Sequence, residues 1–128
     1  MNAPGSVLVV DDDGDVRALV VELLTRSGYH VSEAPNGREA LKLLFEQRPD
    51  LVLLDISMPK LDGLELTRRL RDDPDTRALR VVLLTALAQD TDVSEGLAAG
   101  ADDYVRKPFS PQDLQDRIEA LLRTQPGE

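Results

Sequence analysis

Three stretches of the chain are apolar without interruption: Val7-Leu-Val-Val, Leu51-Val-Leu-Leu and Val81-Val-Leu-Leu. A strand with one wet face alternates apolar and polar residues, whereas a strand covered on both faces of a parallel sheet reads as a continuous run. Between these runs the period changes. Val16, Leu19, Val20, Leu23 and Leu24 recur at helical spacing and stop before Gly28. A weaker strand is predicted around His30 to Glu33, a turn at Asn36-Gly37, and a helix from Glu39 to Gln47. Leu51 to Ile56 is the third predicted strand, Leu64 to Arg71 the third helix, and Val81 to Thr85 the fourth strand. Val93 to Ala99 gives a short helix ended by Gly100, Tyr104-Val105 a fifth strand, and Pro111 to Leu122 a last helix capped by Ser110. Strand and helix thus alternate five times. Right-handed crossovers place the helices on both faces of a parallel sheet, an α/β doubly wound fold.

Composition narrows the options. The 128 residues suit one domain, read as residues 1–123, with 124–128 as a C-terminal tail or the start of a linker. Cysteine is absent and there is 1 histidine, which excludes disulfides and the usual zinc ligand sets. The formal net charge of -9 repels phosphate backbones, so direct nucleic-acid binding is not expected. Neither a signal peptide nor an apolar run of membrane-spanning length is found. The expected setting is the cytoplasm, with no membrane contact.

The chemistry gathers at the strand ends. In an open parallel sheet, ligands bind beyond the carboxyl ends of the strands. Strand 1 there releases Asp11, Asp12 and Asp13, strand 3 releases Asp55, strand 4 Thr85, and strand 5 leads to Lys107. Taken singly each has a plain explanation. Asp13 suits a helix cap, Asp55 a turn former, Thr85 a strand residue and Lys107 a solvated charge. Together they form a set suited to phosphoryl transfer. Two carboxylates about 4 Å apart repel by roughly 4 kcal/mol at an effective dielectric near 20. Placing Asp11, Asp12 and Asp55 together therefore calls for a hard cation. Mg²⁺ keeps waters and accepts phosphate oxygens, and Mn²⁺ is a substitute.

The chain resembles the receiver (CheY-like) domains of bacterial two-component response regulators. The resemblance runs from Val7 to about Arg123. It is carried by Val9-Val-Asp-Asp-Asp, Leu53-Leu-Asp55-Ile-Ser-Met-Pro, Leu61-Asp-Gly63, Leu84-Thr85-Ala86 and Gly100-Ala-Asp-Asp-Tyr104-Val-Arg-Lys107-Pro108-Phe109. It implies a flavodoxin-like (βα)5 fold of strand order 2-1-3-4-5. It also implies that Asp55 is the phosphoacceptor, taking a phosphoryl group from a sensor histidine kinase, a histidine phosphotransfer protein or a small acyl phosphate. Asp12 and Asp55 would then ligate the metal, with the backbone carbonyl of Ser57, and Asp11 would act largely through water. Lys107 would stabilise the phosphoryl group. Thr85 would hydrogen-bond it, and Tyr104 would rotate inward as the second part of the switch. Helix 4, strand 5 and helix 5 would form the output face. The Lys107-Pro108 bond is expected to be cis.

Further expectations follow from the same resemblance. Ser57 and Leu87 stand where dephosphorylation is tuned, and the apolar Leu87 would shield the acyl phosphate. Asp102, Asp103, Tyr104 and Arg117 resemble the subfamily that dimerises through charge pairs on the output face and carries winged-helix DNA-binding domains. Glu95 reverses one charge of that pattern. A phosphorylation-dependent homodimer and an output domain or target protein are therefore among the implied partners. Arg68, Arg69 and Arg71 read as a solvated helix face, and His30 as structural. The domain reads as a signalling switch that catalyses only its own phosphoryl transfer and slow dephosphorylation. The alternative is a Mg²⁺-dependent phosphatase or phosphotransferase with an Asp nucleophile. Such enzymes usually place the nucleophile after the first strand and carry a substrate-binding cap, whereas here the candidate follows strand 3 and no insertion is long enough for a cap.

Overall fold

The computed structural model describes residues 5–56, 63–85, 90–107 and 109–123, with the backbone alone for 90–93. Ser57, Leu87, Pro108 and the 124–128 tail, on which several expectations rest, lie outside the described residues. The elements run β1 (Ser6–Val10), α1 (Gly14–Arg26), β2 (His30–Ala34), α2 (Gly37–Gln47), β3 (Leu51–Asp55), α3 (Gly63–Asp72), β4 (Arg80–Thr85), α4 (Asp90–Ala99), β5 (Asp103–Arg106) and α5 (Pro111–Arg123).

The five strands form one parallel sheet of order β2-β1-β3-β4-β5. The continuous apolar runs become its three central strands. Their odd and even residues point to opposite faces, and each set finds its own helices. Leu8, Val10, Val52, Leu54, Val81 and Leu83 pack with Ala40 and Leu44 of α2 and Leu66 and Leu70 of α3. Val7, Val9, Leu51, Leu53, Val82, Leu84 and Val105 pack with Val20 and Leu24 of α1 and Leu114 and Ile118 of α5. Burying each such side chain is worth roughly 1.5–3 kcal/mol before entropy is charged against it. The fold is therefore the doubly wound one read from the pattern.

Helix ends follow local chemistry. Asp13 caps α1, its Oδ1 accepting from the amides of Asp15 at 3.0 Å and Val16 at 3.2 Å. Asn36 caps α2 by accepting from Glu39 N at 2.9 Å, and Ser110 Oγ accepts from Asp113 N at 3.2 Å. α2 ends on Arg48, which is left-handed with φ 48°. Several helix starts lie earlier than the sequence reading. α1 begins at Gly14, α2 at Gly37 and α4 at Asp90, because first turns without apolar residues carry no periodic signal.

The reading of Arg71 as part of a solvated face needs correction. Arg68 and Arg69 are exposed, but Arg71 is half-buried. Its guanidinium donates to the carbonyls of Gly100 (2.8 Å), Arg77 (3.0 Å) and Leu79 (2.6 Å), and bonds Asp102 at 3.0 Å. It ties the end of α3 to the loop before β4 and to the turn before β5. Gly100, at φ 115°, leaves room for this side chain, since a Cβ there would lie 2.6 Å from Arg71 Cγ. The side chain of His30 is exposed, and its structural part is the backbone bond from His30 N to Gly5 O at 3.0 Å.

Candidate functional site

Strand order reverses direction between β1 and β3, and the crevice beyond their carboxyl ends is the ligand position of such sheets. β1 delivers Asp11 and Asp12 there, and β3 delivers Asp55 as its final residue. One oxygen from each of these carboxylates lies within 4.8 Å of the other two. Asp11 is fully buried, Asp55 is 5% exposed, and Asp12 is exposed. The predicted trio is thus brought together, with Asp12 on the open side.

Lys107 enters this cluster from the end of β5. Its amide donates to Thr85 O at 2.7 Å, which joins the ends of β4 and β5 and aims the side chain inward. The ammonium lies 2.9 Å from Asp11 Oδ2 and 3.6 Å from Asp55 Oδ2. Burial works to lower its pKa, but the hydrogen bond to Asp11 and the charges of Asp55 and Asp11 outweigh it. The ammonium is left with a pKa above the ordinary lysine value. Among the described residues one ammonium thus pairs with two of the three carboxylates, and the trio offers the all-oxygen donor set that a hard cation takes.

Thr85 is buried at the end of β4, its Cα in register with Arg106, while Leu84 stands opposite Asp55. Tyr104 is partly buried in β5 beside Leu83 and packs against the α2–α3 layer. Of the charges read as dimer contacts, Asp102 accepts from Val81 N at 2.8 Å in addition to its pair with Arg71. Asp103 and Arg117 bond each other at 2.7 Å within the chain. Burial works against the Arg117 charge, yet Asp113 and Asp103 hold its pKa above the ordinary arginine value.

Two residues that shape the site were not singled out from sequence for any role there. Arg17 of α1 donates to Asp11 O at 2.7 Å and pairs with Glu33 of β2 at 2.9 Å, which fixes the backbone that presents the acidic cluster. Gly63 opens α3 directly against the end of β3. A Cβ there would sit 2.6 Å from the Asp55 carbonyl oxygen. The first left no motif, because an arginine that bonds a backbone carbonyl needs no particular partner residue. The second stood inside Leu61-Asp-Gly63, where a glycine signals close approach without saying to what.

Comparison with known proteins decides the family. A profile described as the response regulator receiver domain matches residues 7–119. The chain belongs to that family. Receiver domains are signalling modules of two-component systems, and phosphoryl acceptance is their general function. The transcriptional regulatory protein AfsQ1 of Streptomyces coelicolor is 48% identical over 118 residues, 92% of this chain and 51% of that protein. The phosphate regulon transcriptional regulatory protein PhoB of Pseudomonas aeruginosa is 40% identical over 124 residues, 96% of this chain and 54% of that protein. The chain thus spans about half the length of the curated relatives it matches. Among solved structures, the signal receiver domain of a signal transduction histidine kinase from Syntrophus aciditrophicus has a TM-score of 0.86 at 38% identity. That match covers 94% of this chain and 95% of that one. Receiver domains interact with histidine kinases. Among the described residues of this receiver domain, no helix is long and apolar enough to cross a membrane.

Proposed function

We propose that Asp55 is the phosphoacceptor of this receiver domain and that Asp12 and Asp55 would hold Mg²⁺, with Asp11 acting largely through water. The observation that carries the reading is the convergence of three carboxylates to within 4.8 Å of one another, two of them paired with the Lys107 ammonium. An Asp55 carboxylate oxygen attacks phosphorus in line with the leaving group. The P–N bond of a phosphohistidine, or the P–O bond of an acyl phosphate, breaks, and its electron pair leaves with the imidazole or carboxylate. Mg²⁺, with Mn²⁺ as substitute, supplies charge neutralisation to the transferring oxygens, and the all-oxygen donor set suits such hard ions. Lys107, already beside Asp55, neutralises the phosphoryl group from its own side.

Thr85 and Tyr104 read the event. The Thr85 hydroxyl bonds the phosphoryl oxygens and Tyr104 moves inward, which alters the α4–β5–α5 face. A phosphoryl group adds nearly two negative charges, enough to bias a two-state element. The donor is a sensor histidine kinase or a histidine phosphotransfer protein in the cytoplasm. The output is delivered by a partner protein or a further domain. The domain acts as a switch with self-catalysed transfer, rather than as an enzyme turning over a substrate pool.

Incubation with acetyl phosphate and Mg²⁺, followed by intact mass, tests this. One phosphoryl adduct should form on the wild type and fail to form with EDTA or in Asp55→Asn. A wild type that stays unmodified would sink the proposal.

A further inference from the structure

The ring of Tyr104 has two guanidiniums within reach. Arg106 Cζ lies 5.8 Å from the ring centroid, and so does Arg117 Cζ. A cation within about 6 Å of an aromatic face is attracted by its quadrupole. The two arginines come from different elements. Arg106 stands two residues along β5 and so shares the side of the strand that Tyr104 uses. Arg117 reaches from α5, where Asp103 holds one end of its guanidinium at 2.7 Å and Asp113 holds Nε at 3.2 Å. The carboxylates fix the guanidinium, and the guanidinium faces the ring. Lys107 is here paired with Asp11 at 2.9 Å and with Asp55 at 3.6 Å, the arrangement expected before a phosphoryl group stands between them.

We propose that Arg106 and Arg117 are positioning residues that brace the Tyr104 ring in the unphosphorylated domain and so set how readily it moves. The proposal rests on the phosphoacceptor role of Asp55 and the switch role of Tyr104 given above. Contacts that favour one conformer lower the population of the other by the same factor. At a partly exposed site each cation–π contact is worth about a two- to fivefold bias.

The test measures the initial rate of Asp55 phosphorylation by acetyl phosphate and Mg²⁺, read by intact mass on the full chain. Arg106→Gln and Arg117→Gln should each react about two- to fivefold faster, with Arg106→Lys between Arg106→Gln and wild type. In a Tyr104→Leu background neither glutamine substitution should alter the rate. Simple electrostatics predicts the opposite sign, since losing a positive charge beside the site slows approach of an anionic donor. With 2 Tyr and no Trp in the chain, Tyr29→Phe leaves Tyr104 as the only emitter among these residue types. Acrylamide quenching of that emission should rise in both glutamine variants before any phosphoryl group is added. Rates equal to wild type in both variants, or an acceleration that persists without Tyr104, would overturn the brace while leaving the phosphoacceptor reading intact. An unmodified wild type would instead remove that reading, and the brace with it.

Discussion

Asp55→Asn exchanges one carboxylate oxygen for an amide group and removes one charge from the cluster. Asp11 and Asp12 each present an oxygen within 4.8 Å of Asp55. At an effective dielectric of about 20, charges that far apart repel by about 3.5 kcal/mol. The full figure applies to buried Asp11, while solvent screens the share of exposed Asp12. Against this relief stands the attraction to Lys107 at 3.6 Å, about 4.6 kcal/mol on the same scale. The two nearly cancel, so desolvation decides. An ionised carboxylate taken out of water costs several kcal/mol, and an amide far less. Lys107 is not orphaned, because Asp11 still holds it at 2.9 Å. The variant should therefore be more stable than wild type by about 2 kcal/mol without metal. Urea unfolding followed by circular dichroism, in EDTA at low salt, should move the midpoint up by about 1 M with an unchanged slope. Saturating Mg²⁺ should narrow the gap, since it stabilises the wild type more. A variant that is equally or less stable in EDTA would mean that repulsion and desolvation together do not exceed the Lys107 attraction, and the energetic argument for a cation would fall.

Gly63→Ala should cost about 1–3 kcal/mol and slow phosphorylation, because the added carbon would lie 2.6 Å from the Asp55 carbonyl oxygen; wild-type stability and rate would refute the close approach. Arg71→Met keeps the stem and loses the bonds to Gly100, Arg77, Leu79 and Asp102, so it should cost about 2–4 kcal/mol, against under about 0.5 for Arg68→Met. Hydrogen exchange at Ala101 and Asp102 should accelerate in Arg71→Met alone. Tyr29 has a raised pKa, through burial first and the Glu119 charge second, partly offset by Arg123. A raised folded-state pKa means that this stability is fully present below about pH 10 and is lost as pH rises through the folded value. Wild type should therefore weaken more steeply than Tyr29→Phe above about pH 10, with a constant difference below it; parallel curves throughout would contradict the shift.

Most of the fold was legible because the informative signals were local. Val7–Val10, Leu51–Leu54 and Val81–Leu84 had to be buried on both faces, and the structure divides their alternate residues between two helical layers. The acidic trio and Lys107 were legible because strand ends in this architecture converge. What escaped was set by tertiary approach. Arg71 shares a surface pattern with Arg68 and Arg69, and only the turn at Gly100 folding over it makes it a hub. Arg48 ends α2 in a left-handed conformation that glycine or asparagine would have announced. Arg17 serves a backbone carbonyl, which leaves no trace in residue spacing.

The most direct test of the central claim locates the phosphoryl group rather than detecting it. After reaction with acetyl phosphate and Mg²⁺, borohydride reduces an aspartyl phosphate to homoserine, and peptide mass spectrometry reads its position. Homoserine at Asp55, with Asp11 and Asp12 unmodified, is the predicted result. Homoserine at Asp11 or Asp12, or at none of the three, would contradict the account.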